Sequence, residues 1–113
     1  ALTLLRLQAW TSAEPLLREC LAIRDAKAPE DWTTFNTKSL LGAALLGQQR
    51  FDEAKPLLLD GYRGMKEREA TIPAQAAVRI PEALERLVRF YEATGEPTEA
   101  AAWRAELDAE RAK

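Results

Sequence analysis

The segment Phe51-Asp52-Glu53-Ala54-Lys55-Pro56-Leu57-Leu58-Leu59 restates an earlier one, Trp10-Thr11-Ser12-Ala13-Glu14-Pro15-Leu16-Leu17-Arg18, with the alanine, the proline and both leucines displaced by the same 41 residues. A looser third copy, Pro97-Thr98-Glu99-Ala100-Ala101-Ala102-Trp103, follows the second with its alanine 46 residues on. A period of this length constrains the fold more than any single residue, because it calls for supersecondary units that bury their apolar faces on one another. Function must then be sought on the surfaces that the stack leaves open.

At 113 residues the chain has the length of one domain, enough to bury about two-thirds of its unfolded surface. Hydrophobic residues make up 47% and charged residues 30%, with few glycines and prolines, a balance that favours ordered helix over disorder. Sixteen basic against 18 acidic residues leave a net charge of −2, which provides no electrostatic footprint for nucleic acid. The lone Cys20 cannot form an intrachain disulfide and reads as a small core residue, in keeping with a reducing, cytoplasmic setting. The longest apolar run, Leu40 to Gly47, falls well short of the roughly 20 residues that cross a bilayer, so no membrane partner is expected. No targeting segment opens the chain, and its start at Ala1 inside a helical pattern suggests a segment of a longer protein.

The spacing of apolar residues predicts helices throughout. Residues 1–9 read as the tail of one helix, and Thr11 with Glu14 fits a capping box for the next, which runs to about residue 27. That helix carries Ala13, Leu16, Leu17, Cys20, Leu21 and Ile23 as one apolar stripe, with Pro15 tolerated in the first turn, as Pro56 is in the second copy. Thr33 or Thr34 is expected to cap a helix to about Gln48 that buries Leu40, Leu41, Ala44 and Leu45, and Asp52 to cap one to about Ala70. Gly42, Gly61 and Gly64 lie in helix interiors, where glycine costs about 1 kcal/mol against alanine; close helix crossing is the expected compensation. Residues 71–81 form a longer connection with an extra helical turn or two and a kink near Pro81. Glu82 to Thr94 is amphipathic through Leu84, Leu87, Val88 and Tyr91, Gly95 ends it, and Pro97 opens a last helix with Ala100, Trp103 and Leu107 on one face. The tail from Asp108 to Lys113 should fray. No β-type alternation occurs, so the fold class is all-α: a single domain, 1–113, of antiparallel helix pairs, with a truncated first pair at 1–27 and further pairs at 33–70 and 74–111.

Leu41, Gly42, Leu45, Phe51, Ala54, Leu58 and Gly61 in the middle copy, and Leu84, Leu87, Tyr91, Ala100 and Leu107 in the third, stand at spacings that resemble the tetratricopeptide repeat. The 41-residue offset and the run AEPLLRECLAIRDAKAPED are similar to the longer, 42-residue variety found in kinesin light chains and bacterial signalling proteins. Two departures stand out: Val88 occupies the family's glycine position, and Pro97 the turn aromatic. The resemblance implies an α-solenoid, a right-handed superhelix whose concave face is lined by the first helix of each pair. Carried over position by position, that groove comprises Leu2, Leu5 and Arg6, then Asn36, Ser39, Ala43 and Leu46, then Glu82, Glu85, Arg89 and Glu92. It also implies a protein-protein interaction module of a bacterial, cytoplasmic protein that binds a peptide or protein partner. The alternative is a structural spacer or a self-associating segment, which exposed leucines in the N-terminal helix would favour.

Catalytic signals are missing. Without histidine the chain cannot build Ser-His-Asp or Cys-His arrangements or most zinc sites, and no glycine-rich phosphate loop occurs. No enzyme activity, cofactor or metal site is expected. Glu82 with Arg86 and Glu85 with Arg89 stand four apart and are expected to pair on a solvated face. Trp10, Trp32, Trp103, Phe51 and Tyr91 read as packing residues.

Overall fold

Five helices account for the fold, with no strand among the described residues: α1 (Leu2–Lys27), α2 (Trp32–Gly47), α3 (Phe51–Glu67), α4 (Arg79–Ala93) and α5 (Pro97–Arg111). This computed structural model describes the backbone of residues 2–112 and the side chains of residues 10–112.

The hairpin of α2 and α3 is the best-packed part of the chain. Asp31 caps α2, its carboxylate accepting the Thr33 N–H at 3.1 Å. The expected threonine caps do other work: the Thr34 hydroxyl donates to the Ala28 carbonyl at 2.7 Å and tightens the preceding turn. Gln49, in the left-handed region at φ 62°, reverses the chain between the two helices. Their crossing is as close as the glycines imply. A β-carbon on Gly42 would sit 2.8 Å from Leu58 Cγ, one on Gly61 would sit 2.8 Å from both the Phe35 carbonyl oxygen and the Ser39 nitrogen, and one on Gly64 would enter the Phe35 ring. Positions that descend along α2 meet positions that ascend along α3, so the pair is antiparallel. Lys38 and Arg68 face the Phe35 ring, at 5.0 and 4.4 Å from its centroid.

Two expected helix starts move. α3 begins at Phe51, which places Asp52 and Glu53 in its first turn, where their charge favours the positive end of the helix dipole. The first bond of its ladder runs from the Ala54 N–H to the Arg50 carbonyl at 3.0 Å; Pro56 therefore lies beyond the free first turn and removes a ladder bond. The larger correction is at the N-terminus, where α1 is one continuous helix of 26 residues with Pro15 inside it, not two pieces of a truncated pair. The second copy turns at Gly47-Gln48-Gln49-Arg50; its counterpart in the first copy, Arg6-Leu7-Gln8-Ala9, contains only good helix formers.

Thr11 accordingly lies within α1, and Glu14 joins helices instead of capping one. Its carboxylate accepts from Arg18 Nε at 2.7 Å, Gln48 Nε2 at 2.9 Å and Arg50 Nη1 at 2.9 Å, fastening α1 to the α2–α3 turn. Hydrogen bonds from Gln48 and Arg18, with the charge of Arg50, outweigh desolvation and hold this carboxyl below its ordinary value of 4.5. A folded value below the unfolded one contributes stability that is present above the ordinary carboxylate range and is lost as the pH falls through the lowered value. Glu14→Gln is therefore expected to melt lower than wild type at neutral pH, with the gap closing at acid pH as the lowered carboxyl takes up its proton. Melting curves at both pH values check this, and a gap unchanged by pH would show that the carboxylate charge contributes nothing.

The connection after α3 contains two 3-10 turns, Glu69–Thr71 and Ala74–Ala76, in place of an extension of α3. Pro81 falls in the first turn of α4, where it requires no kink. Gly95, at φ 75°, turns the chain into α5, whose first residue is Pro97. The expected fraying beyond Asp108 does not occur before Arg111, because the Glu110 carboxylate pairs with Lys66 and Arg111 pairs with Glu85.

Leu41, Leu45, Leu58, Met65, Leu84 and Leu87 form the fully buried centre. Edge-to-face contacts link Phe51 to Phe90, Phe90 to Tyr91, and Tyr62 to Trp103. The aromatic residues thus pack as expected, Trp32, Phe51 and Trp103 flanking the core and the Trp10 ring lying across Gly47. Tyr62 meets Trp103 and Lys66 meets Glu110, so α3 and α5 run in the same direction side by side. α1 differs from its sequence expectation: Leu17 and Leu21 reach the core, while Leu16 and Ile23 are 68% and 50% exposed. Their counterparts in the second copy are Leu57 and Gly64, and Gly64 is covered by Phe35 of α2; no described helix gives α1 the same cover.

Candidate functional site

α2 and α4, which head the second and third helix pairs, lie next to each other and meet where Arg86 Nη1 donates to Ser39 Oγ at 3.0 Å. Residues expected to face a groove divide into three groups on this α2–α4 face. Ser39 is fully buried and Ala43 is 6% exposed; both are packing residues, a correction to their place in the groove. Ser39 must be small because Gly61 of α3 presses on its backbone, and its hydroxyl is turned toward Arg86. Leu46 is partly buried against the core. Asn36, Glu82 and Glu85 are half-buried, and Arg89 and Glu92 are exposed. Leu2, Leu5 and Arg6 belong to α1, but their side chains lie outside the described residues.

The charges do not pair as their spacing suggests. Glu82 binds Arg79 at 2.6 Å, Glu85 binds Arg111 of α5, and Glu92 binds Arg104 of α5 at 3.2 Å. Helix α5 thus draws two of the three carboxylates of α4 away from the face. Among the described residues, no carboxylate lies within ion-pair distance of Arg86 or Arg89. Burial depresses the Arg86 guanidinium below the ordinary arginine value, with Glu82 opposing and the charges of Arg79 and Arg89 adding to the depression. One turn before Ser39, Asn36 Oδ1 is buried without a hydrogen-bond partner. Arg86 is thus a half-buried cation with a neutral hydrogen-bond partner and no anion, so its desolvation is only partly compensated, while the buried Oδ1 of Asn36 has no donor at all.

Arg86 is the residue whose burial against α2 sequence reasoning missed. Its signal was available: it stands three after Ala83 and four before Phe90, both buried, so it occupies the edge of the apolar stripe of α4. Spacing alone had assigned it to a solvated ion pair with Glu82.

Among the described residues no three His, Cys, Asp or Glu side chains come together as a metal site, and no helix is long and apolar enough to cross a membrane. Cys20 is half-buried and accepts from Arg24 Nε at 3.3 Å, within its own helix. Compared with models of known families, with curated proteins and with solved structures, the chain finds no match in any of the three.

Proposed function

We propose that this chain is a tetratricopeptide-like segment of a right-handed α-solenoid, and that it receives a peptide or protein partner on the face formed by α2 and α4. The observation that supports this reading most is that the helices heading successive pairs, α2 and α4, are neighbours, while the helices completing them, α3 and α5, run together behind. A stack so arranged leaves one face lined by side chains of consecutive pairs, suited to an extended or helical peptide. The module is a binding scaffold of a cytoplasmic, bacterial protein and uses neither cofactor nor metal.

A second reading has its own observation. The exposed Leu16 and Ile23 of α1 stand seven apart on one side of the helix, as a seam for self-association would require. Titration with short peptides of differing charge, followed by backbone amide shifts, tests the first reading; concentration-dependent sedimentation tests the second.

A further inference from the structure

We propose that α1 binds a second copy of this chain through its open side, the two helices lying antiparallel about a two-fold axis at Ile23, with Glu19 of each copy paired to Lys27 of the other. This deepens the self-association reading above and rests on it, since it names the occupant of the exposed seam and its register.

One side of α1 is already bound. Leu17 and Leu21 reach the core, Glu14 holds Gln48 and Arg50 at the α2–α3 turn, and Arg24 Nη1 donates to Thr33 Oγ1 of α2 at 2.9 Å. The other side carries Leu16, Glu19, Ile23 and Lys27, all exposed and spaced three or four apart, so that they form one stripe. Leu16, Ile23 and Val78 are the large hydrophobic side chains left exposed among the described residues, and the first two share this stripe. Their burial would favour association. Charge decides what can cover them. Glu19 and Lys27 stand four residues before and four after Ile23, and neither has an ion-pair partner among the described residues. A second α1 running antiparallel about Ile23 sets Ile23 on Ile23 and, about 6 Å to either side, a Glu19 opposite a Lys27. A parallel pair would set Glu19 on Glu19 and Lys27 on Lys27, and an antiparallel pair centred midway between Leu16 and Ile23 would bring the two Glu19 carboxylates together; like charges so placed oppose association. In the favoured register Leu16 reaches the small, exposed Ala26 and the aliphatic stem of Lys27 at the end of the second helix. Each contact occurs twice, and the pair closes on itself.

The experiment is sedimentation equilibrium of the full chain from micromolar to submillimolar concentration, with variants at these exposed positions. The wild-type chain is expected to dimerise, and Ile23→Asp to leave a monomer of unchanged helix content by circular dichroism. Glu19→Lys and Lys27→Glu, which set like charges opposite each other in the antiparallel register, should each weaken the dimer by about tenfold or more. The two substitutions combined in one chain should restore it, because each pair then re-forms with its signs exchanged. The charge variants carry the test alone if Ile23→Asp does not fold. A wild-type chain that stays monomeric, or a dimer indifferent to Ile23→Asp, would overturn both this pairing and the self-association reading. A dimer that Ile23→Asp dissociates but that neither charge variant weakens would overturn the antiparallel register and leave the seam intact. A combined variant as weak as the single ones would do the same.

Discussion

Truncation of Leu58 to alanine is expected to cost about 2–5 kcal/mol, the range for a fully buried leucine, against a total of roughly 5–15 kcal/mol for a domain. Leu58 has no exposed surface and seats against Gly42, where an added methyl would lie 2.8 Å from its Cγ. Gly42→Ala alone forces that side chain to move within a packed interior, a cost of about 1–3 kcal/mol, partly offset by roughly 1 kcal/mol from the better helix propensity of alanine. The double variant places the methyl in the space that Leu58 vacates. Urea denaturation of the four proteins is therefore expected to give a double variant more stable than the sum of the single losses predicts, with a coupling of about 0.5–3 kcal/mol. Strict additivity would mean that Gly42 and Leu58 do not share a contact, and that the α2–α3 crossing is not as close as described.

Gly61→Val is expected to be more severe. Its β-carbon would fall 2.8 Å from the Phe35 carbonyl oxygen and 2.8 Å from the Ser39 nitrogen. Both are backbone atoms, so no change of rotamer relieves the clash, and α2 must separate from α3 along its length. Loss of a cooperative melting transition and of near-ultraviolet circular dichroism is the expected result. Gly61→Ala should be intermediate, because the same Cβ clash is met without the second methyl layer and with a more favourable helix propensity. A Gly61→Val protein as stable as wild type would contradict the packing of the central pair.

Much of this packing was legible in the residues. Glycine within a helix calls for a close neighbour, and Gly42, Gly61 and Gly64 do mark close approaches of α2 and α3. Three kinds of feature were not legible. Helix continuity depends on what the chain lacks: the first copy has the helix formers Arg6 to Ala9 where the second has Gly47 to Arg50, so a repeat in sequence did not become a repeat in turns. Partner choice among charges depends on elements far along the chain. Spacing within α4 favours Glu82 with Arg86 and Glu85 with Arg89, yet Arg79 precedes and Arg104 and Arg111 follow on another helix, and they take the carboxylates. Surface ion pairs differ in worth by only about 0–1 kcal/mol, too little for local spacing to decide among competitors. Burial was not legible at two expected groove positions, Ser39 and Ala43, which are absorbed into packing, nor at Arg86, which is half-buried against Ser39 and not paired with Glu82.

The proposal that the α2–α4 face is the functional surface is tested most directly by the backbone amide shifts of the protein titrated with short peptides of differing charge. The expected result is a set of saturable changes centred on Asn36, Arg86 and Arg89, with the outer residues of α3 and α5, such as Lys55 and Glu99, unmoved. Changes centred on Leu16 and Ile23 of α1, or spread along α3 and α5 with Arg86 and Arg89 unmoved, would contradict it.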